Sequence, residues 1–344
     1  MLLRQLNFVV SLLMSACWWS IGISSTLAAQ ANQTGEASGN FAQRVDIGNG
    51  RKLYLECHGA GAPTVILESG LRTRGDNWSR ADLLSHGGEP VMPEVAKFAH
   101  VCTYDRPGTT LNPGEVSRSD EAPMPRTAVN VVRELHMVLH AANVPGPYVM
   151  VGHSFGGLFV RLYSTMYPEE VNGMVLVDSL AEQIKPLFSA ADWTTFLELN
   201  SGRLQGFENY AALETIDFDM SFLQIERELT NPNNPPIKKV PTVILVRGLP
   251  VKLPPGAPPK FGAVLEMAWR KSEDQMALAL PHLQIVFARK SAHYIQWDEP
   301  ALVVQAIRKV VASAAHHGNF VGNDEPLPAS SKGKSIRMPL AANS

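Results

Sequence analysis

Net charge is nearly absent from this sequence, and cysteine is scarce. The 30 Lys and Arg stand against 32 Asp and Glu for a formal charge of -2. They are interspersed, without a charge run or a basic patch interleaved with aromatics, which argues against a polyanion such as nucleic acid as partner. There is no internal repeat, no HExxH and no zinc-type spacing of Cys and His, so no metal is implied. The single Gly59, Ala60, Gly61 is far too weak a signal for a dinucleotide site.

What is present is apolar bulk. With 344 residues and 45% hydrophobic content, the chain is long enough for one large domain with a well-buried core. It opens with Arg4, an apolar stretch from Leu6 to Leu27 and the small-residue run Ala28, Ala29, Gln30, Ala31. Residues 1–31 read as a signal peptide, cut after Ala29 or Ala31, which makes the mature protein exported, periplasmic or secreted. Met14, Ser15, Ala16, Cys17 also approximates a lipoprotein box, so anchoring at Cys17 is the lesser alternative. An uncleaved membrane anchor fits less well, because the small-residue site follows at once and polar residues come next. Removal of Cys17 leaves Cys57 and Cys102. An even pair in an exported chain invites a disulfide, and two buried free thiols are the alternative.

Short β-rich runs alternate with helical patterns. The runs are Leu53 to Cys57, Thr64 to Leu67, Val101 to Tyr104, Tyr148 to Val151, Met174 to Val177, Thr242 to Val246 and Leu283 to Phe287. Helical periodicity marks residues 126–142, 154–167, 261–279 and 299–314. Apolar strands joined by helical crossovers predict a mostly parallel sheet with helices on both faces. The first two runs come too close together for a crossover, so the sheet should begin antiparallel. Residues 180–240 break the rhythm with helical patches at 191–199 and 221–229 and no convincing strand. That is too long for an ordinary loop, and it predicts a helical cap inserted over one end of the sheet. The core is then 41–179 and 241–315, and the polar tail 316–344 reads as disordered, with His316 and His317 solvated.

One short stretch carries chemistry. Gly152, His153, Ser154, Phe155, Gly156 is a G-x-S-x-G with an apolar strand before it and a helical pattern after it. A sharp strand-to-helix turn brings backbone close to backbone, so the positions two before and two after the serine tolerate no side chain. The serine is left in an unfavourable backbone conformation with its hydroxyl exposed. An ordinary turn serine is the competing reading. A serine hydroxyl is a poor nucleophile at neutral pH and needs a base. Of the ten histidines, His293 has the right setting, in the loop after the last strand and at the carboxyl edge of the sheet. His153 reads as packing under the turn, and His100, His136, His140 and His282 as ordinary surface or core residues.

These pieces together resemble the α/β-hydrolase fold family of serine hydrolases. The likeness runs from about Val45 to Ala312 and is carried by TVILESG, VCTYDRPG, PYVMVGHSFGG, GMVLVDS and SAHYIQWDEPALVVQAI. After Asp105, Arg106, Pro107, Gly108 the chain has Thr109, Thr110, Leu111, where a glycine and a serine are usual. The resemblance implies a mostly parallel eight-stranded sheet flanked by helices. It also implies an oxyanion hole from the backbone N–H of Phe155 and that of Leu71, an adjacent residue being the alternative to Leu71. Most relatives place the triad acid after the seventh strand, but here no carboxylate follows Val246 until Glu266, inside a helix. The family's other location, the end of the sixth strand, holds Asp178, and the order Ser154, Asp178, His293 agrees with the fold; Asp105, Glu68 and Asp298 are rivals. The strands bearing Cys57 and Cys102 are antiparallel neighbours in this fold, so a disulfide between them is expected.

The reading that follows is hydrolysis of a carboxylic ester or related acyl compound, a lactone included, through an acyl-enzyme on Ser154, with no cofactor and a small-molecule substrate as partner. A helical cap offering Leu187, Phe188, Trp193, Phe196, Leu197 and Phe222 could wall an apolar pocket, although most aromatics at helical spacing are core. Arg72 and Arg74 read as solvated arginines, with pairing to an acidic substrate the alternative. An aminopeptidase resembling prolyl iminopeptidases would need a carboxylate cluster in the cap, for which Glu182, Glu198, Glu208, Glu214 and Asp217 are available. A non-catalytic binding protein on a hydrolase scaffold is a rival of another class.

Overall fold

The computed structural model describes residues 39–200, 210, 212–231, 239–254, 256–280 and 282–315. The leader-like segment, Cys17, Glu208 and the tail with His316 and His317 lie outside them. Eight strands form one sheet in the order β1-β2-β4-β3-β5-β6-β7-β8: β1 (Phe41–Asp46), β2 (Lys52–His58), β3 (Thr64–Glu68), β4 (Val101–Tyr104), β5 (Tyr148–His153), β6 (Val171–Val177), β7 (Thr242–Arg247) and β8 (Leu283–Ala288). β2 runs antiparallel to β1 and β4, and every later pairing is parallel. The sheet does begin antiparallel, but not between the two runs nearest in sequence. β3 lies beyond β4, and the partner of β2 on its outer side is β1, whose FAQRVD is mostly exposed and carries no apolar run by which to be seen.

The interior strands are mostly apolar because both of their faces are covered, with polar residues such as Glu68, His153 and Arg247 at their ends. β3, β4, β5 and β7 are buried at every position, as expected of a parallel sheet under two helical layers. One core cluster joins the sheet to α2 (Ala128–Ala141), α3 (Phe155–Met166) and α6 (Phe261–Ala279), and the other joins it to α1 (Val91–Ala96) and α8 (Pro300–Ala315). α2 starts at a capping box, in which the Thr127 side chain accepts from the Asn130 backbone and Asn130 accepts from that of Thr127. Between β6 and β7 come α4 (Ala190–Leu199) and α5 (Phe218–Thr230), begun by the side chains of Ser189 and Asp217. A short helix, α7 (Ile295–Asp298), precedes α8. No helix among the described residues is long and apolar enough to cross a membrane.

Cys57 and Cys102 face each other directly across β2 and β4 and are joined by a disulfide. Their separation of 45 residues gives a bridge worth about 4 kcal/mol by chain entropy.

Candidate active site

β5 lies between β3 and β6 in the sheet, and its end throws Ser154 into a left-handed conformation with φ 54 and ψ -121, an arrangement that the surrounding packing has to enforce. A Cβ on Gly152 would stand 2.5 Å from the Gly156 carbonyl oxygen, and one on Gly156 would stand 2.6 Å from the carbonyl oxygens of Glu68 and Ser69. Glycine is therefore required at both. The turn is tied to the next strand, since the Ser154 N–H donates to the Val177 carbonyl at 3.0 Å and the Leu180 N–H to the Ser154 carbonyl at 2.9 Å.

Three side chains from three strand ends converge there. His293 Nε2 is 2.9 Å from Ser154 Oγ, and His293 Nδ1 is 2.5 Å from Asp178 Oδ2. Asp178 is fully buried, one residue past β6, with φ 42, and its N–H is held by the Leu245 carbonyl at 2.8 Å. The loop presenting His293 is pinned where the Ala292 N–H meets Asp298 Oδ2 at 2.9 Å and the Ser291 hydroxyl meets Glu299 Oε2 at 2.7 Å. The rivals for the acid are engaged elsewhere. Glu68 pairs with Arg106 and Tyr104, Asp105 with Arg118, and Asp298 with Ala292 and Ser85.

Arg247, which the sequence reading passed over, ends β7 and buries its guanidinium beside Asp178. Its Nη1 donates to the same Oδ2 at 2.6 Å, and its Nη2 reaches Glu266 Oε1 at 3.0 Å. Burial alone would raise the Asp178 carboxyl, but Arg247 and His293 outweigh it and bring the group below its ordinary range. The last residue of β7 is thus the cation that keeps the buried acid just past β6 ionised. His153 packs beneath, donating from Nε2 to the His293 carbonyl at 2.9 Å. Burial first, and the neighbouring His293 second, push its imidazole down to about 3, so it is neutral at physiological pH.

A second buried network shapes the loop after β3. Arg106 Nη1 donates to the Ser69 carbonyl at 2.9 Å and Nη2 to the Gly70 carbonyl at 2.6 Å. The Gly70 carbonyl and the Leu71 N–H belong to one planar trans peptide, so fixing the oxygen on Arg106 turns the Leu71 N–H the opposite way. Glu214, from the stretch between α4 and α5, receives Arg106 Nε at 2.7 Å, Arg106 Nη2 at 2.9 Å and the Arg72 backbone N–H at 2.7 Å. Arg72 is only 7% exposed and also binds the carbonyls of Glu214 and Asn200. Arg74 is held by Asp76. Neither arginine is the solvated group that the sequence suggests.

Above Ser154 lies a cavity of about 290 Å³, near the lower end for small-molecule pockets. Ser154, His293, Phe155 and Leu71 line it together, with Leu180, Phe196, Phe218, Phe261, Leu265 and Trp269 as its apolar wall and Asn200, Arg247 and Lys252 among its polar groups. Among the described residues, none that lines the cavity is a carboxylate. Of the six apolar side chains expected to wall it, Phe196 does so; Trp193 stacks on Phe196 and Phe188 packs against it, Phe222 packs against Trp193, and Leu187 and Leu197 pack against the same core cluster.

The sheet order, the flanking helices and the strand-to-helix turn define an α/β hydrolase. The chain belongs to the alpha/beta hydrolase fold family, whose description matches residues 63–320. It is similar to the uncharacterised protein YqjL of Bacillus subtilis, 24% identical over 258 residues that cover 74% of this chain and 86% of that one. Among solved structures it resembles alpha/beta hydrolase domain-containing protein 10 from mouse, with a TM-score of 0.54 at 15% identity over 79% of this chain and 98% of the other. It also resembles a thermophilic esterase from Thermogutta terrifontis, with a TM-score of 0.52 at 16% identity over 80% and 99%. At these identities the structural likeness speaks for the fold alone.

Proposed function

We propose that this hydrolase cleaves carboxylic esters or related acyl compounds, lactones included, through an acyl-enzyme on Ser154. The observation that carries the reading is the His293 ring, which bridges Ser154 Oγ at 2.9 Å and Asp178 Oδ2 at 2.5 Å on the floor of an apolar cavity. In this reading Ser154 Oγ bonds to the acyl carbon while its proton passes to His293 Nε2. Asp178 holds the Nδ1–H tautomer and stabilises the imidazolium. The N–H groups of Phe155 and Leu71 receive the developing oxyanion, and donors of this kind are each worth roughly 3–4 kcal/mol of barrier. The alkoxide leaves with the proton from Nε2. Water then attacks the acyl-enzyme with His293 as base, freeing the acid and restoring Ser154.

The cavity's lining favours an apolar acyl group over the free amine of an aminopeptidase substrate. Of the carboxylates that such an activity would call upon, Glu182 is paired with Arg161, Glu214 with Arg106, and Asp217 caps α5. The disulfide supports residence in an oxidising compartment, in keeping with an exported protein.

The test is fluorophosphonate labelling followed by a panel of esters of increasing acyl length. Labelling at Ser154, its loss in Ser154→Ala, and ester turnover are expected. Folded protein that does not label would support the binding-scaffold reading instead, and amine-dependent turnover of aminoacyl amides would support the peptidase.

A further inference from the structure

On the flank of α2, beside its buried stripe, two imidazoles stand one turn apart. His136 and His140 occupy positions i and i+4 of the helix, so both rings leave from the same side, with centroids 4.2 Å apart. Glu170, the last residue of the turn Pro168–Glu170 between α3 and β6, brings its carboxylate to both. Oε2 is 3.3 Å from His136 Nδ1 and Oε1 is 2.9 Å from His140 Nε2, and the three donor atoms lie within 4.8 Å of one another. Tetrahedral zinc, bound by imidazole nitrogen and carboxylate oxygen at roughly 2.0–2.2 Å, sets its ligand atoms about 3.3–3.6 Å apart. Each histidine nitrogen already stands near that distance from an oxygen of Glu170.

Two further side chains fix the orientation of these groups. Tyr167 lies flat on the His136 ring, at 3.9 Å and an interplanar angle of 3°, and the Tyr163 hydroxyl donates to Glu170 Oε2 at 2.5 Å. Outer partners of this kind set the angle at which a ligand meets its metal.

We propose that His136, His140 and Glu170 bind one divalent transition-metal cation of the zinc type, with the remaining coordination position filled by water. Two nitrogens and one carboxylate suit zinc, nickel or copper rather than calcium or magnesium, which take oxygen donors. The ion clips α2 to the turn before β6 and shares no residue with the cavity over Ser154, so its role is structural rather than catalytic. The sequence hides the site because the third donor stands 30 residues beyond His140.

The test uses the full chain, freed of metal by a chelator that is then dialysed away, with zinc chloride as the probe. Calorimetry should show one equivalent bound with a Kd on the order of micromolar, weaker than a four-ligand structural site, and the melting temperature should rise with zinc concentration. His140→Ala and Glu170→Gln should each weaken binding at least tenfold, and Tyr163→Phe by roughly 10–100-fold through loss of the outer hydrogen bond. The double variant His316→Ala, His317→Ala, which removes an adjacent histidine pair, should bind as the parent does. The assignment is overturned by no binding up to about 0.1 mM zinc, by affinity unchanged in both His140→Ala and Glu170→Gln, or by binding lost only with His316 and His317.

Discussion

Asp178 occupies a position that asks two things of one carboxylate oxygen. Oδ2 takes both the His293 Nδ1–H and an Arg247 N–H, while Oδ1 is buried without a partner. An asparagine there keeps the shape but loses the charge that holds the imidazole's tautomer. Asp178→Asn should therefore fold normally and lose about three to four orders of magnitude in kcat, whereas Glu266→Gln, which keeps an acceptor for Arg247 and the Val251 N–H, should change turnover little. Steady-state kinetics of the two variants checks both. His153 makes a different demand. Its folded imidazole titrates at about 3 and an unfolded one near 6.5, so between those values the unfolded chain binds the extra proton. Stability from this residue is full above about pH 6.5 and falls as the pH drops, at about 1.4 kcal/mol per unit. The buried carboxyls of Glu68 and Glu273, both raised by burial, act with the opposite sign above the ordinary carboxylate range. The difference between parent and His153→Gln is therefore the quantity to measure. Urea unfolding from pH 4 to 6 should show that difference shrinking towards acid, and a constant difference would sink the account.

At the scale of elements, strand ends place the chemistry, and contacts made by the insertion place the strand ends. The strand-to-helix turn of Ser154, the terminal position of Asp178 and the loop of His293 were all legible in sequence, because a parallel sheet buried on both faces writes itself as apolar runs whose ends can be counted. Arg106, Glu214 and Arg247 were not. Each is a charged residue whose partner lies far along the chain, and isolated charges in a sequence look like surface. β1 escaped notice for the converse reason, since an edge strand half open to water needs no apolar run. The Glu214 contact predicts a coupling between the insertion and the loop after β3, which in the proposed mechanism supplies an oxyanion donor. Glu214→Gln keeps the side chain's volume but removes the charge facing Arg106 and weakens the acceptor of the Arg72 N–H, loosening the Ser69–Leu71 peptides. We expect kcat to fall by roughly ten- to a hundredfold, part of the cost of a lost oxyanion donor, with KM within about twofold. A rise in KM at unchanged kcat would show instead that Glu214 serves only to shape the cavity.

Across the whole molecule, two halves of the design differ in how openly they are written. The sheet and its two helical layers follow from the alternation of apolar runs and helical patterns along the sequence, whereas the pairing of Cys57 with Cys102 follows from the resemblance to the fold, in which their strands are antiparallel neighbours. The insertion follows from nothing so regular. Its helices could be counted from periodicity, but the face they turn towards Ser154 is set by packing among Phe196, Phe218 and Phe222, and aromatics at helical spacing look alike whether they line a pocket or fill a core. The way in which the insertion is fastened has a kinetic meaning. Glu182 is locked to Arg161 by two hydrogen bonds at 2.7 and 3.0 Å, and Glu214 is locked to Arg106 and Arg72. Swinging this roof aside would strip buried ion pairs of their partners, each costing on the order of 3–5 kcal/mol. A motion that lifted the roof at these two fastenings is therefore uphill by that cost, so the resting enzyme holds the cavity over Ser154 closed on the side of Glu182 and Glu214.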